Sequence, residues 1–150
     1  MFRCGSPVDT RVMPLDPNIR EEILALIAFD KDPAGLVPAV VQDPDTLQIL
    51  MLGFMNRDAL AKTLDTGMVT FWTRSRQKLW TKGETSGNVL QMTAVRVNCN
   101  NDSLLIMARP AGPTCHTGHP TCYYREAGAS GSWHEITEAQ FDPDQVYAKS

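Results

Sequence analysis

The chain has 150 residues, of which 43% are hydrophobic and 21% charged, the composition of one globular domain able to bury its own core. A formal net charge of -3 excludes the broad basic field of a nucleic-acid binder. No apolar run approaches the roughly 20 residues of a membrane span, and MFRCGSPVDTRVMPLD lacks a signal-peptide core, so a cytoplasmic location is expected, where cysteines serve as ligands or free thiols.

Residues 1–15 are polar and aperiodic and predict a flexible N-terminal tail, with Cys4 a bystander. Asp16-Pro17 reads as a helix start, Asp16 the N-cap and Pro17 in the first turn. Ile19, Ile23, Leu24, Leu26 and Ile27 follow at helical spacing, and the helix should end near Phe29. Leu36–Gln42 and Thr46–Met55 predict two strands paired as a hairpin across Asp43-Pro44-Asp45. Asn56 caps a second helix with Leu60 and Leu64 inward and Gly67 as its stop. Val69–Trp72 is a strand. Val89–Cys99 is a longer one whose alternation changes phase, so either both faces are partly covered or a bulge intervenes. Leu104–Ala108 returns after the Asn100-Asn101-Asp102 turn, Pro110–Pro113 breaks that strand, and Thr121–Arg125 is read as a last short one. The outcome is an α+β fold, mainly antiparallel sheet with two short helices, in one domain over residues 16–125. Residues 126–150 are read as a C-terminal tail with one weak apolar patch around Trp133, Ile136 and Phe141.

Three stretches carry chemistry. From Asn98 to Cys122 the chain reads NCNNDSLLIMARPAGPTCHTGHPTC, with Cys99, Cys115, Cys122, His116 and His119. Thiolates and imidazole are strong zinc donors. The spacing, fifteen residues and then six between cysteines, lacks the C-x-x-C knuckle of a structural finger. It suits three ligands with a fourth position kept for water, as in catalytic zinc. The alternative is that Cys99 faces the core of a strand while Cys115 and Cys122 merely line a loop.

Between Phe71 and Gly87, Arg74, Arg76, Lys78 and Lys82 precede any acid, and Glu84 is the first. Guanidinium forks and ammonium groups bind phosphate, and Ser75, Thr85 and Ser86 add hydroxyls. Trp72 or Trp80 would stack on an aromatic base. The plain alternative is a solvated strand and turn. The third stretch is NCNND. Its oxygens could gather around a magnesium ion, but Asn and Asp favour such turns for their own backbone bonds, and the residues alone favour the turn.

Gly53-Phe54-Met55-Asn56, FWTRSRQKLWTKGETSGN, NCNND before Ser103-Leu104-Leu105, and GPTCHTGHPTC before Tyr123 together resemble the phosphoribosyl-AMP cyclohydrolase family of histidine biosynthesis, over roughly residues 36 to 125. The family often carries a fused pyrophosphohydrolase domain, for which the chain is too short, so the monofunctional form is expected. The resemblance implies one zinc per chain held by Cys99, Cys115 and Cys122, in a homodimer whose zinc sites are shared because the first cysteine comes from the other subunit. It implies His116 as the catalytic acid/base and a phosphoribosyl nucleotide substrate, N1-(5-phosphoribosyl)-AMP, opened at N1–C6 of its adenine. Trp72, Arg74, Ser75, Arg76, Lys82 and Glu84 are the expected substrate contacts. The family's magnesium site falls on Asn98, Asn100 and Asp102. Two of its three carboxylates are amides here, so magnesium should bind weakly at most. The rival class is a zinc-stabilised nucleotide-binding module without catalysis, disfavoured by the net charge and the missing knuckles. A base deaminase is disfavoured because His134-Glu135 and Pro113-Thr114-Cys115 do not supply its motif pair. No nucleic-acid or membrane partner is expected.

Overall fold

The computed structural model describes residues 15–147. The expected N-terminal tail falls outside them except for Leu15, which packs against the core. Helix α1 runs Pro17–Leu26, and the Asp16 carboxylate accepts from the Asn18 N–H at 2.8 Å, satisfying one of the donors a helix start leaves open. It stops three residues earlier than expected and is followed by a 3-10 turn, Phe29–Lys31. Leu24 and Ile27 are buried, whereas Ile19 and Leu26 lie 44% and 49% exposed. One narrow stripe, rather than all five apolar positions, faces inward.

Strands β1 (Val37–Gln42) and β2 (Ile49–Met55) form the expected antiparallel hairpin. Helix α2 spans Arg57–Thr66, with the Asn56 side chain accepting from the Ala59 N–H at 2.8 Å. Gly67 closes it at φ 75°, its N–H bonding the Thr63 carbonyl at 2.9 Å, a left-handed stop that costs glycine no steric penalty. Leu60 and Leu64 are buried as expected. Strand β3 (Thr70–Thr73) pairs antiparallel with β4 (Lys78–Thr81), a strand the sequence reading did not separate from the surrounding charge run.

Strands β5 (Leu90–Val97) and β6 (Leu104–Pro110) pair antiparallel, and the register shifts between Met92 and Ala94. That bulge is the physical reason for the change of phase: one extra residue reverses which side chains face inward. Strand β6 also pairs parallel with β1, giving the four-stranded order β2-β1-β6-β5. The inward rows are Ala39 with Leu104, and Val41 with Met51 and Ile106, all buried. Helix residues Leu24, Leu60 and Leu64 and Phe71 of β3 complete this core. The outward face of the same sheet carries the cross-strand row Leu52, Val40, Leu105 and Arg96.

Three differences concern the C-terminal part. Strand β6 continues through Pro110 rather than stopping at Ala108. Thr121–Arg125 is not a strand; only Arg125 enters one, β7 (Arg125–Ala127), which pairs with β8 (Trp133–Glu135). A third helix, α3 (Pro143–Tyr147), follows. The segment read as a tail is thus folded, and it bonds back to the preceding loop: Ile136 N–H to the Tyr124 carbonyl at 2.8 Å and Gln140 N–H to the Gly118 carbonyl at 2.8 Å. Trp133 is 73% exposed, so the hairpin is held by its backbone rather than by a buried face. Among the described residues no helix is long and apolar enough to cross a membrane.

Candidate active site

A cavity of about 740 Å³ opens between the β3–β4 hairpin and the loop that follows β6. Ser75, Arg76, Trp80, Lys82, His116 and Cys122 line it.

Its first wall follows from strand alternation. Phe71 is buried in the core and pairs across the ladder with Trp80, their ring centres 5.9 Å apart. Successive side chains on a strand face opposite ways, so Trp80 and Lys82 share a side. Trp72, paired with Leu79, takes the other side; like Trp80 it packs against the core, but it does not line the cavity. Lys82 is only 5% exposed, with its ammonium 5.5 Å from the Trp80 ring centre. Burial pulls it below the usual lysine range, while Cys122 and Cys115 pull it back.

The second wall is the loop of residues 111–124. Cys122 N–H bonds the Leu50 carbonyl at 2.8 Å, and the Thr121 hydroxyl donates to the Ile49 carbonyl at 2.6 Å, fixing this end of the loop to the start of β2. At the other end Gly118 N–H bonds the Cys115 carbonyl at 2.9 Å and Cys115 N–H bonds the His119 carbonyl at 3.0 Å, making a tight turn. The Thr117 hydroxyl donates to Cys115 Sγ at 3.0 Å. Cys115 is buried, and the Cys122 thiol is pushed up to about 12, by desolvation first and by the neighbouring Cys115 second. Cys122 itself is exposed.

Two thiols side by side next to a lysine ammonium are a soft, charge-compensated donor pair that fits zinc and not a hard cation. The pair would supply two of the donors that a zinc ion takes. Among the described residues no three His, Cys, Asp or Glu side chains of one chain gather to hold a metal. Cys99 is exposed, just beyond the end of β5, and does not line the cavity. His119 is buried, and its Nδ1 pairs with Thr137 Oγ1 at 2.8 Å, so it faces the C-terminal segment.

Arg74 and Glu84 also lie apart from the cavity. The Arg74 guanidinium sits 4.1 Å over the Phe54 ring, beside a separate hollow that Lys31 and Asp102 share. Glu84 accepts from the Thr81 N–H at 3.3 Å and stabilises the turn after β4. Thr85 and Ser86, from the same turn, do reach the cavity. Sequence reasoning missed Thr114, whose hydroxyl is fully buried without a partner at the cavity wall, and it missed Tyr147. No pattern in the chain marks either one.

The NCNND turn is engaged in its own hydrogen bonds. Asn98 Oδ1 accepts from the N–H groups of Asp102 and Ser103, each at 2.9 Å, and Asn98 Nδ2 donates to Asp102 Oδ1 at 2.6 Å. Lys31 Nζ donates to the Asn100 carbonyl at 2.8 Å and lies 3.4 Å from Asp102 Oδ2. Asn98 first, and Lys31 after it, hold the Asp102 carboxyl below the usual carboxylate range. The one carboxylate is already shared between an amide and an ammonium.

Comparison with known proteins supplies the relationship. The family model described as phosphoribosyl-AMP cyclohydrolase matches residues 51–124. The phosphoribosyl-AMP cyclohydrolase of Magnetococcus marinus is 43% identical over 129 residues, covering 86% of this chain and 99% of that protein.

The chain belongs to the phosphoribosyl-AMP cyclohydrolase family.

The Pelotomaculum thermopropionicum phosphoribosyl-AMP cyclohydrolase is 49% identical over 116 residues, 77% of this chain and 90% of that protein. The histidine biosynthesis bifunctional protein HisIE of Vibrio parahaemolyticus is 50% identical over 124 residues. The chain spans 59% of that bifunctional relative, and 45% of the HisIE of Photobacterium profundum. The matched span contains both cavity walls, from Met51 to Tyr124, and stops short of the C-terminal segment.

Proposed function

We propose that the chain hydrolyses the N1–C6 bond of N1-(5-phosphoribosyl)-AMP, a step of histidine biosynthesis, giving the formimino imidazole carboxamide ribotide. The observation that carries this reading is the meeting, in one cavity, of an aromatic face, buried and exposed cations, and a paired thiol donor set beside a histidine. The substrate needs each of these. Trp80 offers the adenine a π-face. Arg76, with Ser75 and the neighbouring Thr85 and Ser86, offers forked and hydroxyl donors to phosphate. Lys82 adds a desolvated positive charge, which acts more strongly there than it would in water.

Cys115 and Cys122 hold one zinc per chain in this reading, and Cys99 of a second copy completes the three thiolates. When bound, zinc lowers the pKa of water to about 7 and so supplies the nucleophile at neutral pH. Alkylation at N1 makes C6 electron-poor. As water adds at C6 the N1–C6 bond breaks, the oxygen stays on C6 as the carboxamide carbonyl, and a proton passes to N1. His116, on the cavity wall next to Cys115, moves that proton in this reading.

The dimer has support of its own. Leu52, Val40 and Leu105 form a solvent-facing apolar row across three strands, Leu52 being 42% exposed, and such a face is a natural surface for a second copy. No step uses magnesium; any magnesium bound at Asp102 is weak. His116→Ala tests the assignment. It should lower kcat by about two to four orders of magnitude with zinc content unchanged, and an unaltered kcat would remove His116 from the chemistry.

A further inference from the structure

Residues beyond the family match hold the loop that carries Cys115 and Cys122. His119 stands in the middle of that loop, only 4% exposed. Its ring stacks on Tyr124 at 3.6 Å and 5°, its Nδ1 pairs with Thr137 Oγ1 at 2.8 Å, and Glu135 lies 3.7 Å from Nε2. Gly118 has φ 89°, and a Cβ there would come within 2.4 Å of the Phe141 carbonyl oxygen, so the C-terminal segment presses directly on the turn. The Gln140 N–H bond to the Gly118 carbonyl closes the same contact. From there the chain enters α3, and Tyr147 borders the cavity; a second hollow joins His116 to Pro143, Asp144 and Tyr147.

We infer that residues 133–147 form a strap belonging to the active site: Thr137, through His119, is a positioning residue for the cysteine loop, and Tyr147 is a wall of the substrate cavity beside His116. The inference rests on the cyclohydrolase reading for the identity of the substrate, but not for the mechanical claim. A loop whose backbone is fixed at Cys122 by β2 and at Gly118 by the strap, with the His119 ring held by Thr137, keeps its two sulfurs together before any metal arrives. Removing one hydroxyl at Thr137 frees the histidine and lets the loop open locally.

Two measurements on the full chain test this. The first follows Cys115 and Cys122 of metal-free protein with an aromatic disulfide reagent, resolved by peptide mass spectrometry. Thr137→Val should raise their rate about tenfold, the scale on which supporting partners of a metal site act, and Thr137→Ser should keep the original rate. Equal rates in the unaltered and Val forms overturn the strap, as does a Ser form as fast as Val. The second measures KM and kcat for N1-(5-phosphoribosyl)-AMP with Tyr147→Ala. KM should rise about fivefold, the loss of one aromatic contact, with kcat and zinc content held. An unchanged KM overturns the wall assignment. If the unaltered protein leaves the substrate intact, the cyclohydrolase reading fails and the wall with it, while the thiol comparison still judges the strap.

Discussion

Asn98 donates through its amide nitrogen to Asp102 Oδ1 at 2.6 Å, and this one bond explains why an asparagine suits the turn as it stands. An aspartate at 98 would still accept the two N–H groups of Asp102 and Ser103. It would have no proton to give Asp102, and two carboxylates would face each other. Asn98→Asp is therefore expected to lower stability without divalent cation. Asn98→Asp with Asn100→Asp should regain that loss when magnesium is added. Thermal midpoints with and without magnesium check this, and calorimetric titration should find no micromolar site in the unaltered, substrate-free protein. Asp102→Asn should remove whatever weak binding remains.

Arg74 and Arg76 are two residues apart and end up on different surfaces. Arg76 borders the cavity and Arg74 covers Phe54. Arg76→Ala should raise KM by roughly tenfold with little change in kcat, the signature of a phosphate contact that persists into the transition state. Arg74→Ala should leave KM within about twofold and cost about 0.5–1 kcal/mol of stability, the size of an exposed cation–π contact. Steady-state kinetics and denaturant unfolding of the two variants separate these outcomes.

The Cys122 thiol gives a pH prediction. Its pKa is raised to about 12 in the metal-free chain, against about 8.5 for an ordinary cysteine. The neutral thiol is the favoured form up to that value, so the thiolate fraction should climb about tenfold per pH unit from 7 to 10. Alkylation of Cys122 by iodoacetamide, read by peptide mass spectrometry, should climb with it and show no plateau. A plateau near 8.5 would show that the sulfur is solvated. For the same reason zinc uptake should release protons and weaken as pH falls.

Sharing of the metal site is tested by mixing Cys99→Ala chains with Cys115→Ala chains. Each parent should be inactive. A mixed dimer contains one intact site and one doubly broken site, so activity should return to a fraction of the unaltered level. No recovery despite proven subunit exchange contradicts sharing.

Local signals made part of this molecule legible in its sequence. The caps at Asp16 and Asn56, the Gly67 stop and the β1–β2 and β5–β6 hairpins each depend on residues a few positions apart, and each was readable. Trp80 rather than Trp72 lines the cavity, and the β3–β4 register sets Trp80 opposite Phe71 and Trp72 opposite Leu79. Neither fact is visible in a run of alternating cations and aromatics. The parallel β1–β6 pairing leaves no sequence mark, since it joins strands more than sixty residues apart. The C-terminal hairpin was missed because Trp133–Glu135 are all exposed, so no alternation of buried and open positions signalled a strand. The cysteines were legible as donors, yet their spacing alone does not say that Cys99 lies away from the other two.

The central claim is that this cavity opens an N1-alkylated adenine with zinc. The direct measurement is the ultraviolet change of N1-(5-phosphoribosyl)-AMP on incubation with purified protein, repeated after removal of metal by a chelator and after zinc is restored. The account predicts ring opening by the untreated protein, loss of the rate with the chelator, and recovery with about one zinc per chain. A substrate spectrum unchanged by zinc-loaded protein, or a rate the chelator does not alter, would contradict it.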